Sequence, residues 1–510
     1  MTGPLPATGP VLGPAAARLG RDDDDRAEFW AVMIARVVIG LYLLELLVNL
    51  TRPRLAPNEP ALTILARPPE VPGSVGRLLS LPRLVFWALL AGIVAAVVLQ
   101  AVAGIRARRG AQTMVLTWAT LAVLLGAFTL IPVTVLGSYP LATLACVPSS
   151  AFVLWLLHRV QWFARMPVPV LLAGFGWGAL VAWGLARACS GLAFGAVYAH
   201  LATDATGGTD LAALLRAQYR VLDFLVLHLS LVGVLAEAAG VVLLLILLRR
   251  RVVDVVSGLV LGAAVGLGYN FTESVVFVKL FGSLSAINGA TPGFEYWIRQ
   301  SVTLLGGQVA FGAVLGAALG VAAGLRQRRQ RALVGGAGVL AALGGWVGTE
   351  MLAAWLWHLA RPHVRVGGAF DTLVVSPGLV LLVQAPFIVL YLLLLRSGLQ
   401  ARAAAVRDAV SAEVAGGGAI TPPERAFLVD RQLRLWALAS VWRQYGRGAA
   451  LALRRVQAAQ LELAGWRWQR ERYAAAADPE ADRRIEELRT RVYQLKARLG
   501  RVVSPAAGVR

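Results

Sequence analysis

Four polar side chains stand inside long apolar runs of this sequence. Glu237 lies in FLVLHLSLVGVLAEAAGVVLLLILL and Glu273 in VVSGLVLGAAVGLGYNFTESVVFV. Gln308 lies in VTLLGGQVAFGAVLGAALGVAAG, and Glu350 in the run after it. A carboxylate at the centre of a bilayer costs about 3 kcal/mol even on lenient scales, so it is normally kept for a task and faces protein or water. The tasks open to it are few. A carboxylate can take a proton from water as a general base, and a partner carboxylic acid can return one to a leaving group. Glutamine can orient water or donate to an oxyanion, but it cannot accept a proton. Buried carboxylates also serve proton and cation paths.

The helices that carry these groups show how they pack. Gly258, Gly262 and Gly266 recur every four residues before Glu273, and Gly312, Gly316, Gly320 and Gly324 do so after Gln308. Such stripes let backbones approach closely in a bilayer. Glu273 follows Gly266 by seven residues and Gln308 precedes Gly312 by four, so both lie on their stripes. The expectation is that Glu273 faces Gln308. Depth gives the same answer when each helix is measured from its basic end at 1.5 Å per residue. Glu273 then lies about 28 Å from Asp254, Gln308 about 25 Å from Leu325, Glu350 about 28 Å from Arg331 and Glu237 about 18 Å along its run. His358 comes out near 40 Å, at the far surface, so the expected cluster is Glu237, Glu273 and Glu350 with Gln308 beside them.

The chain has 510 residues, of which 58% are hydrophobic and 15% charged, with a mean hydropathy of +0.67. Soluble domains carry about 25% charge, so this is a polytopic helical membrane protein, all-α. The net charge of +21 reads as membrane topology and a basic tail, not as a nucleic-acid footprint. Lys279 and Lys496 are the only lysines. The arginine bias suggests a GC-rich genome and hence a bacterium. Cys146 and Cys189 both lie in apolar runs and read as packing residues.

Residues 1–28 read as a disordered lead-in and not as a cleavable leader. Ten runs are long enough to span: about 29–50, 83–105, 113–138, 141–160, 168–190, 222–248, 255–280, 299–325, 332–359 and 371–396. Short loops rich in arginine (106–109, 159–165, 249–251, 326–331) alternate with poorer ones, which places both termini in the cytoplasm. The membrane domain is thus 29–396, with a core at about 222–360. Residues 397–510 form a separate arginine-rich tail. In it Thr421-Pro422-Pro423-Glu424 reads as a capping box opening a helix to about Arg443. Further helices run over about 449–473 and from Asp478-Pro479. The last carries Ile485, Leu488, Val492, Leu495 and Leu499, a 3,4-spaced seam that predicts an intramolecular hairpin. Arginines on the outer faces suit an anionic leaflet.

The order of these features resembles the PrsW family of intramembrane proteases. The family's Glu-Glu-x-x-Lys motif appears as Ala236-Glu237-Ala238-Ala239-Gly240, its basic stretch and aspartate as Arg249–Arg251 with Asp254. Its Gly-x-Gly-Phe-x-x-x-Glu-Asn motif appears as Gly266-Leu267-Gly268-Tyr269-Asn270-Phe271-Thr272-Glu273-Ser274. Its histidine before a glycine stripe is Gln308, followed by Phe311 and Gly316. The family's first Glu, Lys, Asn and His are therefore Ala236, Gly240, Ser274 and Gln308 here. The resemblance implies a peptidase whose water is activated by a glutamate or around a divalent metal, and a membrane-protein substrate. Nothing in the sequence requires the metal. Two other readings stand beside it: a relative without catalysis that binds membrane partners, and an ion-coupled carrier. Against the carrier, no internal repeat and no paired broken helices are visible.

Overall fold

The computed structural model describes residues 14–50, 74–108, 114–161, 165–192, 235–236, 238–248, 251–252, 254–283, 292–325, 327–360, 370–416, 419–472 and 479–503. Glu237 lies outside them, as do the side chains of Glu350 and His358. The described residues are largely helical and form two compact units, one of residues 27–160 and 166–395 and the other of residues 1–26, 161–165 and 396–510.

The membrane unit begins with α1 (Pro14–Leu50), α2 (Ser74–Arg108), α3 (Met114–Ser138) and α4 (Pro140–Val160). The lead-in, expected to be disordered, is helical from Pro14 onward. Proline at the first helical position followed by three alanines starts a helix well, and nothing interrupts it before the first span. Next come α5 (Val168–Trp177), prolonged by a π turn at Gly178–Ala182 and on to Leu192, then α6 (Ala238–Leu247) and α7 (Val255–Ser283). After these follow α8 (Pro292–Trp297) with a π turn at Ile298–Val302, α9 (Gly307–Gly324), α10 (Arg328–Ala360) and α11 (Ser376–Ala415). Among the described residues nine helical stretches are long and apolar enough to cross a membrane. Of the sixth expected span, 222–248, the described part includes α6.

The core is α7, 94% of whose apolar window is buried by its neighbours. Its glycines explain this. A Cβ on Gly258, Gly262 or Gly266 would overlap the carbonyl oxygen of Gly316, Gly312 or Gln308, and one on Gly320 would overlap that of Asp254. Each step of four along α7 is met by a step of four back along α9, so the two helices run antiparallel in backbone contact, as the stripes predict. The opposite face of α7 packs on α5 in the same manner. Gly268 meets the Phe175 carbonyl and Gly178 that of Val265, so neither position has room for a Cβ. There the π turn has a use: Thr272 Oγ1 donates to the Ala179 carbonyl at 3.0 Å. Asp254 caps α7, its Oδ1 accepting from Ser257 N–H at 2.9 Å and from Ser257 Oγ at 2.7 Å.

The tail unit contains the end of α11 and three further helices, α12 (Pro422–Val429), α13 (Arg431–Arg472) and α14 (Pro479–Val503). The capping box forms, with Thr421 N–H donating to Glu424 Oε2 at 2.8 Å. The helix expected to reach Arg443 instead stops at Val429, because Asp430 starts a new one. Its Oδ1 accepts from Gln432 N–H at 2.7 Å, and a capping carboxylate stabilises a fresh N-terminus. Ile485, Leu488 and Val492 of the seam are buried against Ala459 and Leu463 of α13, with Leu495 packed at the edge.

Candidate functional site

The run 299–325 reads in sequence as one continuous span, but the structure breaks it. The π turn ends at Val302, Thr303 to Gly306 leave the helix, and α9 restarts at Gly307 with φ +49°. A left-handed backbone there favours glycine, which the Gly306-Gly307 pair supplies. Gly306 caps α9 without a side-chain hydrogen bond, so the first N–H groups of α9 have no intrahelical partner. Non-helical backbone at membrane depth is tolerated only inside protein or beside a water-filled cavity. The sequence-predicted site residues fall on either side of this break.

Glu273 lies on the face of α7 that its glycine stripe predicts, but its partner is different. Its Oε2 accepts from Arg299 Nη1 at 3.3 Å, and Arg299 Nε lies 3.5 Å from Glu295. The guanidinium rests 3.7 Å from the centre of the Phe277 ring, which fixes its plane. Both members of the Glu273–Arg299 pair retain about a fifth of their side-chain exposure.

Gln308 lies on the seam by its backbone, and its side chain turns to α10, where Oε1 accepts from Trp346 Nε1. The expected Glu273–Gln308 contact is therefore a misreading of register. The glycine contacts set Asp254 level with Gly320. Leu325 thus lies five residues, about 7.5 Å, beyond the level from which Glu273 was measured. Corrected for that offset, Glu273 is level with Ser301, and Gln308 is level with Gly266, about 10 Å along the helix from Glu273. The break lies between them.

Position 350 is carried to the same region. Gly338 of α10 abuts Ala318 and Gly345 abuts the Phe311 ring, so α10 runs antiparallel to α9 and position 350 follows Trp346 by one turn. From α11, Gln384 reaches the break: a Cβ on Gly306 would overlap its Oε1, a buried atom without a hydrogen-bond partner. Ser274 Oγ and Gln300 Nε2 are buried and unpartnered too, while Gln300 Oε1 accepts from Ser149 Oγ. Glu237 lies outside the described residues; its neighbours Ala236 and Ala238 are buried, and two residues on the Gly240 carbonyl accepts from Trp177 Nε1 at 2.9 Å.

Sequence reasoning missed Arg299, Gln300 and Gln384. Arg299 opens the run expected as the eighth span, where a basic residue reads as a membrane-edge group. The signal that could have found the break is the Gly306-Gly307 pair directly before Gln308, since two adjacent glycines weaken a helix by about 2 kcal/mol relative to alanine.

A metal centre does not fit the described donors. No group of three or more His, Cys, Asp or Glu side chains among the described residues could hold a metal ion. Gln308 occupies the expected histidine place and is committed to Trp346, and Glu273 faces an arginine whose charge opposes a cation. What remains is a carboxylate paired with a guanidinium at the edge of an unwound, polar segment. That set can activate water and receive negative charge.

Comparison with curated proteins gave no match, and neither did comparison with solved structures. A family model described as PrsW family intramembrane metalloprotease matches residues 166–391, which cover α5 to α11 up to Tyr391 and hold the seam, the break and every candidate residue. Through this segment the chain is similar to the PrsW family of intramembrane metalloproteases.

Proposed function

We propose that the chain hydrolyses membrane-protein substrates with a water activated by Glu273. The observation that carries this reading is the broken helix beside a charge-compensated carboxylate. A substrate helix must unwind before its peptide bonds can be attacked, and the 303–306 segment, itself outside the helical ladder, is where an extended strand would lie. Glu273 takes a proton from water as the hydroxide adds to the scissile carbonyl carbon. Protonation removes one of the two carboxylates beside Arg299, whose positive charge then faces the developing oxyanion. The proton passes from Glu273 to the leaving amide nitrogen as the C–N bond breaks. Glu237 and Glu350 are the further carboxylates this reading assigns to the site, with Gln308 and Gln384 orienting the strand and not transferring protons. The setting is a bacterial plasma membrane with both termini in the cytoplasm.

The test is cleavage of a tagged single-span reporter in membranes lacking the wild-type protein. Glu273→Gln should lower cleavage by about 10²- to 10⁴-fold, because an amide keeps the shape but takes no proton. Arg299→Gln should lower turnover with little change in reporter binding, and His358→Ala should leave cleavage largely intact. Full activity in Glu273→Gln, with loss in Glu237→Gln or Glu350→Gln, moves the base to one of those carboxylates. A reporter that binds the purified protein but is never cleaved selects the non-catalytic reading. The commitment of Gln308 to Trp346 is the observation that favours that second reading.

A further inference from the structure

The first half of α13 has an apolar face that is largely exposed among the described residues. Leu435, Leu438, Trp442 and Tyr445 step by 3, 4 and 3, which places them on one helical stripe. Leu435 is 56% exposed, Trp442 62% and Tyr445 47%, and Leu438 between them is half-buried. The second half of the same helix behaves in the ordinary way: Val456, Ala459, Leu463 and Ala464 are buried in the tail's two apolar clusters. Gly446, at φ 79° and ψ 179°, separates the two halves.

Charge distinguishes the halves as well. From Arg431 to Leu461 the sequence has six arginines and no acidic residue. Arg443, Arg447, Arg454 and Arg455 are exposed, and no ion pair joins them to a carboxylate among the described residues. The arginines of α14 contrast with them. Arg484 pairs with Glu487 and Glu462, and Arg489 with Glu413 and Glu486.

We propose that residues 431–447 are an interfacial anchor for an anionic lipid surface. Tryptophan and tyrosine on an apolar stripe, with the exposed Arg443 and Arg447 beside them, suit the boundary between headgroups and acyl chains. Anionic headgroups supply the negative charge that this part of the chain lacks. A nucleic-acid partner would use the arginines but would leave the leucines in water. A second copy of the chain would bury the leucines but oppose six arginines with six more.

The test uses the full-length chain in lipid nanodiscs of phosphatidylcholine alone or with 30% phosphatidylglycerol. A nitroxide is placed at Leu438→Cys on the stripe or at Gln444→Cys on the opposite face; the native Cys146 and Cys189 are buried. In phosphatidylglycerol discs the ratio of oxygen to nickel-chelate collision at position 438 should rise about five-fold or more over pure phosphatidylcholine, while position 444 stays aqueous. Replacing Arg443 and Arg447 together by Gln should remove the rise, as should 0.5 M salt. A label at 438 that stays accessible to the nickel chelate in both lipids overturns the proposal. So does protection that is equal in both lipids, or that appears only with spin–spin coupling between copies.

Discussion

Gly262→Leu is expected to give no folded protein. A Cβ at this position would overlap the Gly312 carbonyl oxygen and lie 3.1 Å from Gly316 Cα. Both obstacles are backbone, so no rotamer change relieves them. Overpacking with side-chain obstacles costs roughly 1–3 kcal/mol, and a backbone obstacle lies at or beyond the top of that range. The effect also spreads. If α7 and α9 separate at Gly262, the contacts at Gly258 and Gly266 loosen with it, and the break at 303–306 loses its fixed distance from Glu273. Gly262→Ala should already lower thermal stability in detergent. Gly348→Ala is the control: nothing lies within 4 Å of its Cβ position, and alanine favours the helix by about 1 kcal/mol. Equal melting temperatures for Gly262→Leu and the wild type would show that the stripe is not a packing seam.

The second large effect is expected in the tail. Glu413 is wholly buried and joins three helices. Its carboxylate accepts from Arg489 Nε at 2.9 Å and Nη2 at 3.0 Å, from Arg467 Nη1, and from Ala419 N–H at 3.3 Å. Glu413→Gln leaves two guanidinium groups facing a neutral amide, and breaking a buried pair in this manner costs about 3–5 kcal/mol. Hydrogen exchange of residues 419–503 in the full-length protein should lose most of its protection. Unchanged exchange would show that the hairpin's apolar clusters suffice without the clamp.

The same clamp sets a pH dependence. Burial pushes the Glu413 carboxyl up, but the hydrogen bonds and charge of Arg489 and Arg467 outweigh it and hold the group below the usual carboxylate range. Glu424 is shifted the same way, with burial opposed by Lys496 at 2.6 Å and by the Thr421 cap. A carboxyl with a depressed folded pKa contributes stability that is complete above its unfolded value and lost as pH falls through the folded one. Tail protection should therefore hold from neutral pH to about 5 and decline below about 4. Glu413→Gln should flatten much of that decline.

Sequence alone determined what depends on neighbours along one helix. The spans follow from runs of apolar residues, the face of Glu273 from its spacing to Gly266, the α7–α9 seam from two matching glycine periods, and the tail hairpin from a heptad-like seam. Each is a local periodicity that the 3.6-residue turn converts into a face. The offset between helices was left to the tertiary structure. Alignment of Asp254 with Gly320, five residues short of Leu325, separates Glu273 from Gln308 and brings Arg299 to it instead. A sequence carries no ruler for that offset, because it depends on where two backbones settle and on a break in α8–α9 that shortens one of them. Gln308 likewise shows its stripe in sequence and its partner Trp346 only in space. The apolar period fixes which way a side chain points, and packing decides what it meets.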